Sequence, residues 1–238
     1  MKKYISLSKY PGKNGQRYYT QFFRHYKINA TYEPLGTENL KESIDLALTE
    51  NVYGISISMP YKREVIHLLD VVDKLVERYG SCNTVVNRNG KLYGYNSDIM
   101  GVVYTSDFIP MNCSVSILGN GCMASMFKQY LGNANTVTNY SLDLGNWDLR
   151  NQAAGVIINC TPYGTIDSSS PYEVIPKDTK TIIDLAINPG ILANQAKENG
   201  INYISGKDFY KQQFIKQFEI YTEIQINEHD FNKISFGC

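Results

Sequence analysis

The chain has 238 residues, 23 basic against 23 acidic side chains, and a formal net charge of zero, with 43% hydrophobic and 19% charged residues. That length corresponds to roughly 1.6 typical domains, and the composition excludes disorder, which goes with fewer apolar residues and more net charge. Without a net positive field, neither nucleic acid nor an anionic membrane surface is expected as a partner.

The five cysteines, Cys82, Cys113, Cys122, Cys160 and Cys238, are odd in number and form no CxxC. Reduced thiols are therefore expected, not a disulfide framework or zinc knuckle. His25, His67 and His229 are scattered without metal-ligand spacing, so no metal site is expected. The start, MKKYISLSKYPGKN, has no long apolar stretch after its lysines, and no window reaches the ~20 apolar residues of a membrane span. A cytoplasmic protein is the expectation.

In chain order, Tyr4–Ser8 reads as a strand, Arg17–Tyr26 as a helix and Ala30–Pro34 as extended chain. Leu40–Leu48 reads as a helix and Gly54–Ser58 as a strand by its alternation. Lys62–Arg78 looks helical and enters just after Pro60, which suits a helix start. Thr84–Arg88 and Lys91–Tyr95 flank Asn89-Gly90, a hairpin signal because both central residues must tolerate positive φ. From Val115 the pattern becomes strand (Val115–Leu118), helix (Met123–Leu131) and strand (Thr136–Asn139). Strands Val156–Cys160 and Thr181–Leu185, a helix Ile191–Asn199, a short strand at Tyr203-Ile204 and a long helix Phe209–Gln225 follow. Alternating strands and helices predict an α/β protein with mostly parallel sheets.

One turn carries chemistry by its context. In SVSILGNGCMASMFKQYLG a strand runs into Gly119-x-Gly121-x-x-Ala124 and a helix leaves. Gly119 permits the tight turn, Gly121 lets backbone approach a pyrophosphate, and Ala124 keeps the helix near the strand. The alternative is a strand–helix turn whose glycines serve packing alone. An acid about 20 residues on would mark NAD, and a nearby Arg would mark NADP. That count lands on Asn139-Tyr140-Ser141, which supplies neither. Only 16 residues separate Asn139 from Val156, room for one short crossover near Trp147–Arg150, so this half looks pared down.

Polar density is high in GISISMPYKREV (54–65) and GSCNTVVNRNGKLYGYNSDIMG (80–101). With the glycine turn, INCTPYGT (158–165), DLAINP (184–189) and QFIKQFEIYT (213–222), these stretches resemble the shikimate dehydrogenase family in order and spacing over nearly the whole chain. The strand–Pro–x–Lys signature matches Ser58-Met59-Pro60-Tyr61-Lys62, and Gly-x-x-Asn-Thr matches Gly80 to Thr84. Gly-x-Asn-[Thr/Ser]-Asp-x-x-Gly matches Gly94, Asn96, Ser97, Asp98 and Gly101. Asn-x-Thr-Pro-x-Gly matches Asn159, Thr161, Pro162 and Gly164.

The resemblance implies reversible, NADP-dependent reduction of 3-dehydroshikimate to shikimate. By it, Lys62 and Asp98 are the catalytic pair, and Ser58, Asn83 and Gln213 hold substrate hydroxyls. Gly119, Asn120, Gly121, Cys122 and Met123 cradle the cofactor phosphates, Asn139 is a further cofactor-binding residue, and Ala186 and Gly206 lie near the nicotinamide end. It also implies two α/β lobes: a substrate-binding lobe (1–100, plus the C-terminal helix 207–238) and a reduced Rossmann-like nucleotide-binding lobe (101–206). The chemistry fits these residue types, since hydride addition to a ketone creates an alkoxide that needs a proton and stabilisation. The competing readings are a solvated helix-start lysine for Lys62 and a helix N-cap for Asp98.

The chain departs from the family pattern in places. The Ser-x-Ser that binds the substrate carboxylate is Lys13-Asn14-Gly15 here, and either Lys13 or Arg17 is a candidate for the carboxylate, against a solvated loop lysine. The second Gly of the turn is Cys122, and the DLxYxP tyrosine is Ile187. The Arg that meets the 2′-phosphate is Tyr140, which can stack on adenine but cannot neutralise phosphate. NADP is implied and NAD remains possible, as do a quinate or aminated-analogue substrate and a non-catalytic ligand-binding homologue with an eroded cofactor site. A monomer or homodimer acting on a small molecule is expected.

Overall fold

A computed structural model describes residues 1–164, 169–187 and 190–236. The elements run β1 (Lys2–Ser8), α1 (Asn14–His25), β2 (Ala30–Gly36), α2 (Leu40–Thr49), β3 (Gly54–Ile57), β4 (Val71–Val72), α3 (Lys74–Tyr79), β5 (Thr84–Arg88) and β6 (Lys91–Tyr95). They continue α4 (Asp98–Ser106), β7 (Ser114–Leu118), α5 (Cys122–Leu131), β8 (Thr136–Tyr140), β9 (Val156–Asn159), β10 (Thr181–Asp184), α6 (Ile191–Glu198), β11 (Asn202–Ser205), α7 (Gly206–Thr222) and α8 (Glu228–Phe236). The chain divides into two compact units, Met1–Ser97 with Phe214–Cys238, and Asp98–Gln213. The first crossing falls ahead of residue 100, and the second falls inside α7 rather than before it. Helical periodicity locates a helix but not the neighbours each of its turns will pack on.

The first unit holds a six-stranded sheet in the order β2-β1-β3-β5-β6-β4. Strands β1, β2 and β3 are parallel, whereas β5 is antiparallel to both β3 and β6. A two-residue hairpin joins only antiparallel strands, and Asn89 and Gly90 take φ 54° and 86° at its tip, as that turn requires. On one face lies an aromatic core: Tyr19, Phe22 and Phe23 of α1 meet Phe214, Phe218 and Tyr221 of α7 and Phe231 of α8, all but fully buried. Phe22 and Phe214 are edge-on at 4.8 Å, a geometry that adds about 0.5–1.5 kcal/mol beyond area burial. The i, i+3, i+4 spacing within α1 is what lets three rings share one face. This explains much of the chain's tyrosine use. Rings go inward while Tyr4 and Tyr19 donate their hydroxyls to the Tyr221 carbonyl (3.2 Å) and to Gln217 Oε1 (2.9 Å).

Two expectations are corrected here. Lys62–Arg78 is not one helix: residues 59–63 form a turn with a cis Met59-Pro60 bond, Glu64–Leu68 is a 3-10 turn, and Val71-Val72 become β4. The chain is drawn out of helix by pairing with β6, where Asp70 N donates to Leu92 O (3.0 Å) and Leu92 N donates to Asp70 Oδ2 (2.7 Å). Asp73 then caps α3 by accepting from Val76 N (2.8 Å). The final helix begins at Gly206, ends at Thr222, and is followed by a separate α8. Glu223 takes φ 61°, and Asn227 and Asp230 exchange side chain-to-backbone bonds at the start of α8.

The second unit has a five-stranded, wholly parallel sheet in the order β11-β10-β9-β7-β8. Chain order reverses at β7, with β8 on one side and β9 to β11 on the other. Ligands of open α/β sheets bind at the carboxyl ends of the strands beside such a reversal. The short crossover expected between β8 and β9 is a 3-10 turn, Trp147–Asn151. Between β9 and β10 the described chain contributes Tyr172 and Ile175 to the apolar cluster of Leu118, Tyr140, Ile157 and Ile182, covering that face without a helix. Among the described residues, no helix is long and apolar enough to cross a membrane.

Candidate active site

In the first unit, Ser58, Lys62, Asn83 and Ser97 stand around the ends of β3 and β5. Ser58, exposed, follows β3; its N–H donates to Leu7 O (2.9 Å) and its carbonyl accepts from Tyr61 N (2.9 Å). Half-buried Lys62 ends that loop's tight part, its carbonyl accepting from Cys82 N (2.8 Å). Cys82 is thereby set next to Asn83, whose carbonyl accepts from Ile57 N (2.9 Å). The Asn83 side chain is buried and held on both sides. Its Nδ2 donates to Ser97 Oγ (2.9 Å), and its Oδ1 accepts from Ser97 N (2.8 Å) and Thr84 Oγ1 (2.8 Å).

Gln217 completes this network and was not singled out in the sequence. Its Nε2 donates to Asn83 O (3.1 Å) and Thr84 Oγ1 (2.8 Å), while its Oε1 accepts from Tyr19 OH (2.9 Å) and Ser56 Oγ (3.3 Å). A buried amide with every bond made fixes geometry, because leaving one unmade costs about 1–3 kcal/mol. The signal was present: Gln217 interrupts the inward stripe of Phe214, Phe218 and Tyr221. Asp98, buried, is the first residue of α4, directly after Ser97. The unpaired N–H groups there favour a carboxylate. Gln213 is buried on α7. Lys13 is exposed at the N-terminal entry of α1, and Arg17, one turn on, lies over the Tyr18 ring at 4.6 Å.

In the second unit the glycine turn stands at the carboxyl end of β7. Gly119 has φ 101°, and a Cβ there would lie 3.1 Å from Cys160 O, so backbone geometry alone accounts for this glycine. Gly121 differs. Its φ is −81°, which any residue adopts, and a Cβ there would meet nothing within 4 Å. Packing does not explain it, and the backbone there is open to close approach. Cys122 and Met123 open α5, a helix N-terminus with unpaired N–H groups and a positive dipole end. Asn139 supports the turn from β8, its Nδ2 donating to Gly119 O (2.6 Å) and Ile117 O (3.3 Å).

At the neighbouring strand ends, Ala186 is buried and its N–H donates to Asp184 Oδ1 (3.1 Å). Asp184 also accepts from Asn159 Nδ2 (2.9 Å) and Tyr203 OH (2.8 Å); burial pushes its carboxyl above the usual range while these bonds oppose the rise. A Cβ on Gly206 would sit 2.5 Å from both Ala186 O and Leu185 O. The start of α7 thus rests on the loop after β10, with room for hydrogen only. Gly206→Ala is expected to cost about 1–3 kcal/mol by overpacking, a fall of several degrees in Tm by thermal denaturation. An unchanged Tm would contradict so close an approach. Tyr140, expected as a stacking face for adenine, is corrected: it is 3% exposed, points into the core and donates to Gln152 Oε1 (3.4 Å). Thr165, Asn188 and Pro189 of the quoted motifs lie outside the described residues.

Residues 15–85 match the family described as the shikimate dehydrogenase substrate binding domain. Over 232 residues the chain is 30% identical to the shikimate dehydrogenase (NADP(+)) of Methanococcus maripaludis, covering 84% of each. The chain belongs to the shikimate dehydrogenase family. A second relative, the shikimate dehydrogenase (NADP(+)) of Dehalococcoides mccartyi, is 28% identical over 241 residues, with 84% of this chain and 82% of that protein covered. The fold agrees with the crystal structure of shikimate dehydrogenase from Aquifex aeolicus, with a TM-score of 0.82 at 22% identity over 99% of this chain and 98% of that one.

The residues present fit a nicotinamide dinucleotide at its pyrophosphate: the turn after β7, the open face of Gly121 and the start of α5 are a phosphate cradle. Among the described residues no three His, Cys, Asp or Glu side chains gather as metal ligands.

Proposed function

We propose that this chain catalyses the reversible reduction of 3-dehydroshikimate to shikimate. Of the residues in this reading, the first unit supplies Ser58, Lys62 and Asn83, and the second supplies Asp98, Gln213 and the dinucleotide turn. The observation that supports this most directly is the anchoring of Ser58, Lys62, Asn83 and Ser97 by backbone and side-chain bonds around the ends of β3 and β5. A cyclic polyol acid needs several directional partners held in place, since an unpaired hydroxyl costs about as much as each bond returns. In this reading Ser58 and Gln213 accept from and donate to substrate hydroxyls, Asn83 offers its second Nδ2 hydrogen, and Lys13 or Arg17 faces the carboxylate.

Bound nicotinamide supplies or receives the hydride; NADP(+) is the form that the relatives' names carry. Lys62 gives a proton to the alkoxide in reduction and removes the hydroxyl proton in oxidation, and Asp98 is the second member of the catalytic pair. Gly119 to Met123 hold the pyrophosphate through main-chain N–H groups, with Ala186 and Gly206 at the nicotinamide end. The reading places the protein in the cytoplasm, as a monomer or homodimer.

The test is absorbance at the reduced-nicotinamide band on mixing the protein with shikimate and NADP or NAD. Turnover with either supports the proposal, and none with both overturns it. A second reading keeps the hydride chemistry but changes the acid, to quinate or an aminated analogue. It is favoured by Lys13-Asn14-Gly15 standing where the family has paired serines. A higher kcat/KM for such an analogue than for shikimate would select it.

A further inference from the structure

The end of β8 is where a dinucleotide-binding sheet meets the adenosine ribose, and there an acid goes with a free 2′-hydroxyl and an arginine with a 2′-phosphate. In this chain the side chains at that place are committed elsewhere. Asn139 turns back onto the glycine loop, and Tyr140 is in the core. Ser141 is buried, with its N–H donating to Asn146 Oδ1 (3.0 Å) and its Oγ accepting from Leu144 N (3.1 Å). Asn146 donates in turn to Asn139 O (2.9 Å), and Gly145 N donates to Leu142 O (2.9 Å), so residues 141–146 form a closed, bonded loop. Three side chains of that loop are exposed side by side: Leu142, Asp143 and Leu144.

The seven cations of this unit are Lys128, Arg150, Lys177, Lys180, Lys197, Lys207 and Lys211. Lys128 and Lys197 lie in the last turns of α5 and α6, and Lys177 and Lys180 precede β10, all toward the amino ends of the strands. Lys207 and Lys211 belong to α7, after β11 at the opposite edge of the sheet. Arg150 is the one that follows β8, and it is tied down. Its Nε donates to Pro171 O (2.8 Å), its Nη1 donates to Trp147 O (2.9 Å), and the guanidinium lies 4.4 Å over the Trp147 ring. The charges exposed between β8 and β9 are both acidic: Asp143, between two exposed leucines in the loop that leaves the strand, and Asp148, further on in the 3-10 turn.

We infer that this chain has given up selection for the 2′-phosphate and binds NAD(H) in preference to NADP(H), with Asp143 as the specificity-determining residue. The inference rests on the proposed dinucleotide reading. A carboxylate repels a second phosphate, and nothing else in the loop neutralises it. Apolar neighbours suit an adenosine whose ribose is unphosphorylated.

The experiment is equilibrium binding without substrate, by the fluorescence of NADH and NADPH titrated into the protein at low and at physiological salt. NADH is expected to bind about threefold to tenfold more tightly than NADPH, with the gap narrowing as salt rises. Asp143→Arg, at an exposed position, is expected to reverse the order with its circular dichroism unchanged. Tighter binding of NADPH by the wild-type chain overturns the inference and leaves the proposed function standing. An Asp143→Arg variant with an unaltered NADH-to-NADPH ratio overturns the role of Asp143. Binding of neither nucleotide overturns the inference together with the reading beneath it.

Discussion

Lys62→Met is expected to lower kcat for shikimate oxidation by about a thousandfold, with shikimate affinity within about threefold of wild type. Proton transfer by a positioned side chain contributes typically 10²–10⁴-fold, and methionine keeps the length of the chain while removing the amine. The substitution falls on a turn whose main-chain bond, Cys82 N to Lys62 O, does not depend on the side chain. Circular dichroism and Tm of the variant confirm the fold, so that a loss of kcat reads as one of chemistry. Stopped assays for kcat and titration calorimetry for shikimate separate the two quantities. A kcat within tenfold of wild type would remove Lys62 from the reaction and leave it as a solvated turn lysine.

The second large effect concerns the cofactor. In Gly121→Val the Cβ enters space where it meets no atom within 4 Å beyond its chain neighbours, at a φ valine adopts freely. Its cost to stability is the loss of a tolerable helix-capping residue, about 1 kcal/mol or less, so Tm is expected within about 4 °C of wild type. Dinucleotide affinity is expected to fall at least a hundredfold, because the branched side chain occupies the approach to the helix N-terminus. The contrast with Gly119 makes the experiment decisive. There the backbone at φ 101° and the nearby Cys160 carbonyl predict a variant that is damaged in folding as well. If Gly121→Val binds the nucleotide as the wild type does, the turn serves packing alone.

The candidate site was unevenly visible in the linear chain. Ser58, Lys62, Asn83, Asp98 and the glycine turn lie in short runs whose spacing is set by local backbone demands: a strand end, a tight turn, a helix start. Local demands leave local traces. Gln217 left only a faint one, a polar residue in an apolar helical stripe. Its partners, Tyr19, Ser56 and the adjacent Asn83 and Thr84, come from three distant stretches of chain. Tyr140 was misjudged for a related reason. A tyrosine at a strand end reads equally as a ring offered to a ligand or a ring placed in the core, and the cluster around Tyr172 and Ile175 decides for the core.

The elements show the same division. The Thr84–Arg88 and Lys91–Tyr95 hairpin was fixed by Asn89-Gly90, since few residues tolerate positive φ, and the strands of the second unit by runs of β-branched residues that suit burial on both faces. The break in Lys62–Arg78 was not, because Val71 and Val72 serve equally in a helix stripe or a strand until β6 is there to pair with them. Composition, periodicity and turn chemistry, which act within a few residues, thus determined the α/β class, most elements and the motif-bearing residues. Tertiary structure decided the antiparallel half of the first sheet, the buried network behind Asn83 and the acid beside the end of β8. Each depends on which distant segment arrives as a neighbour, and burial and hydrogen-bond satisfaction settle that only once the chain has closed on itself.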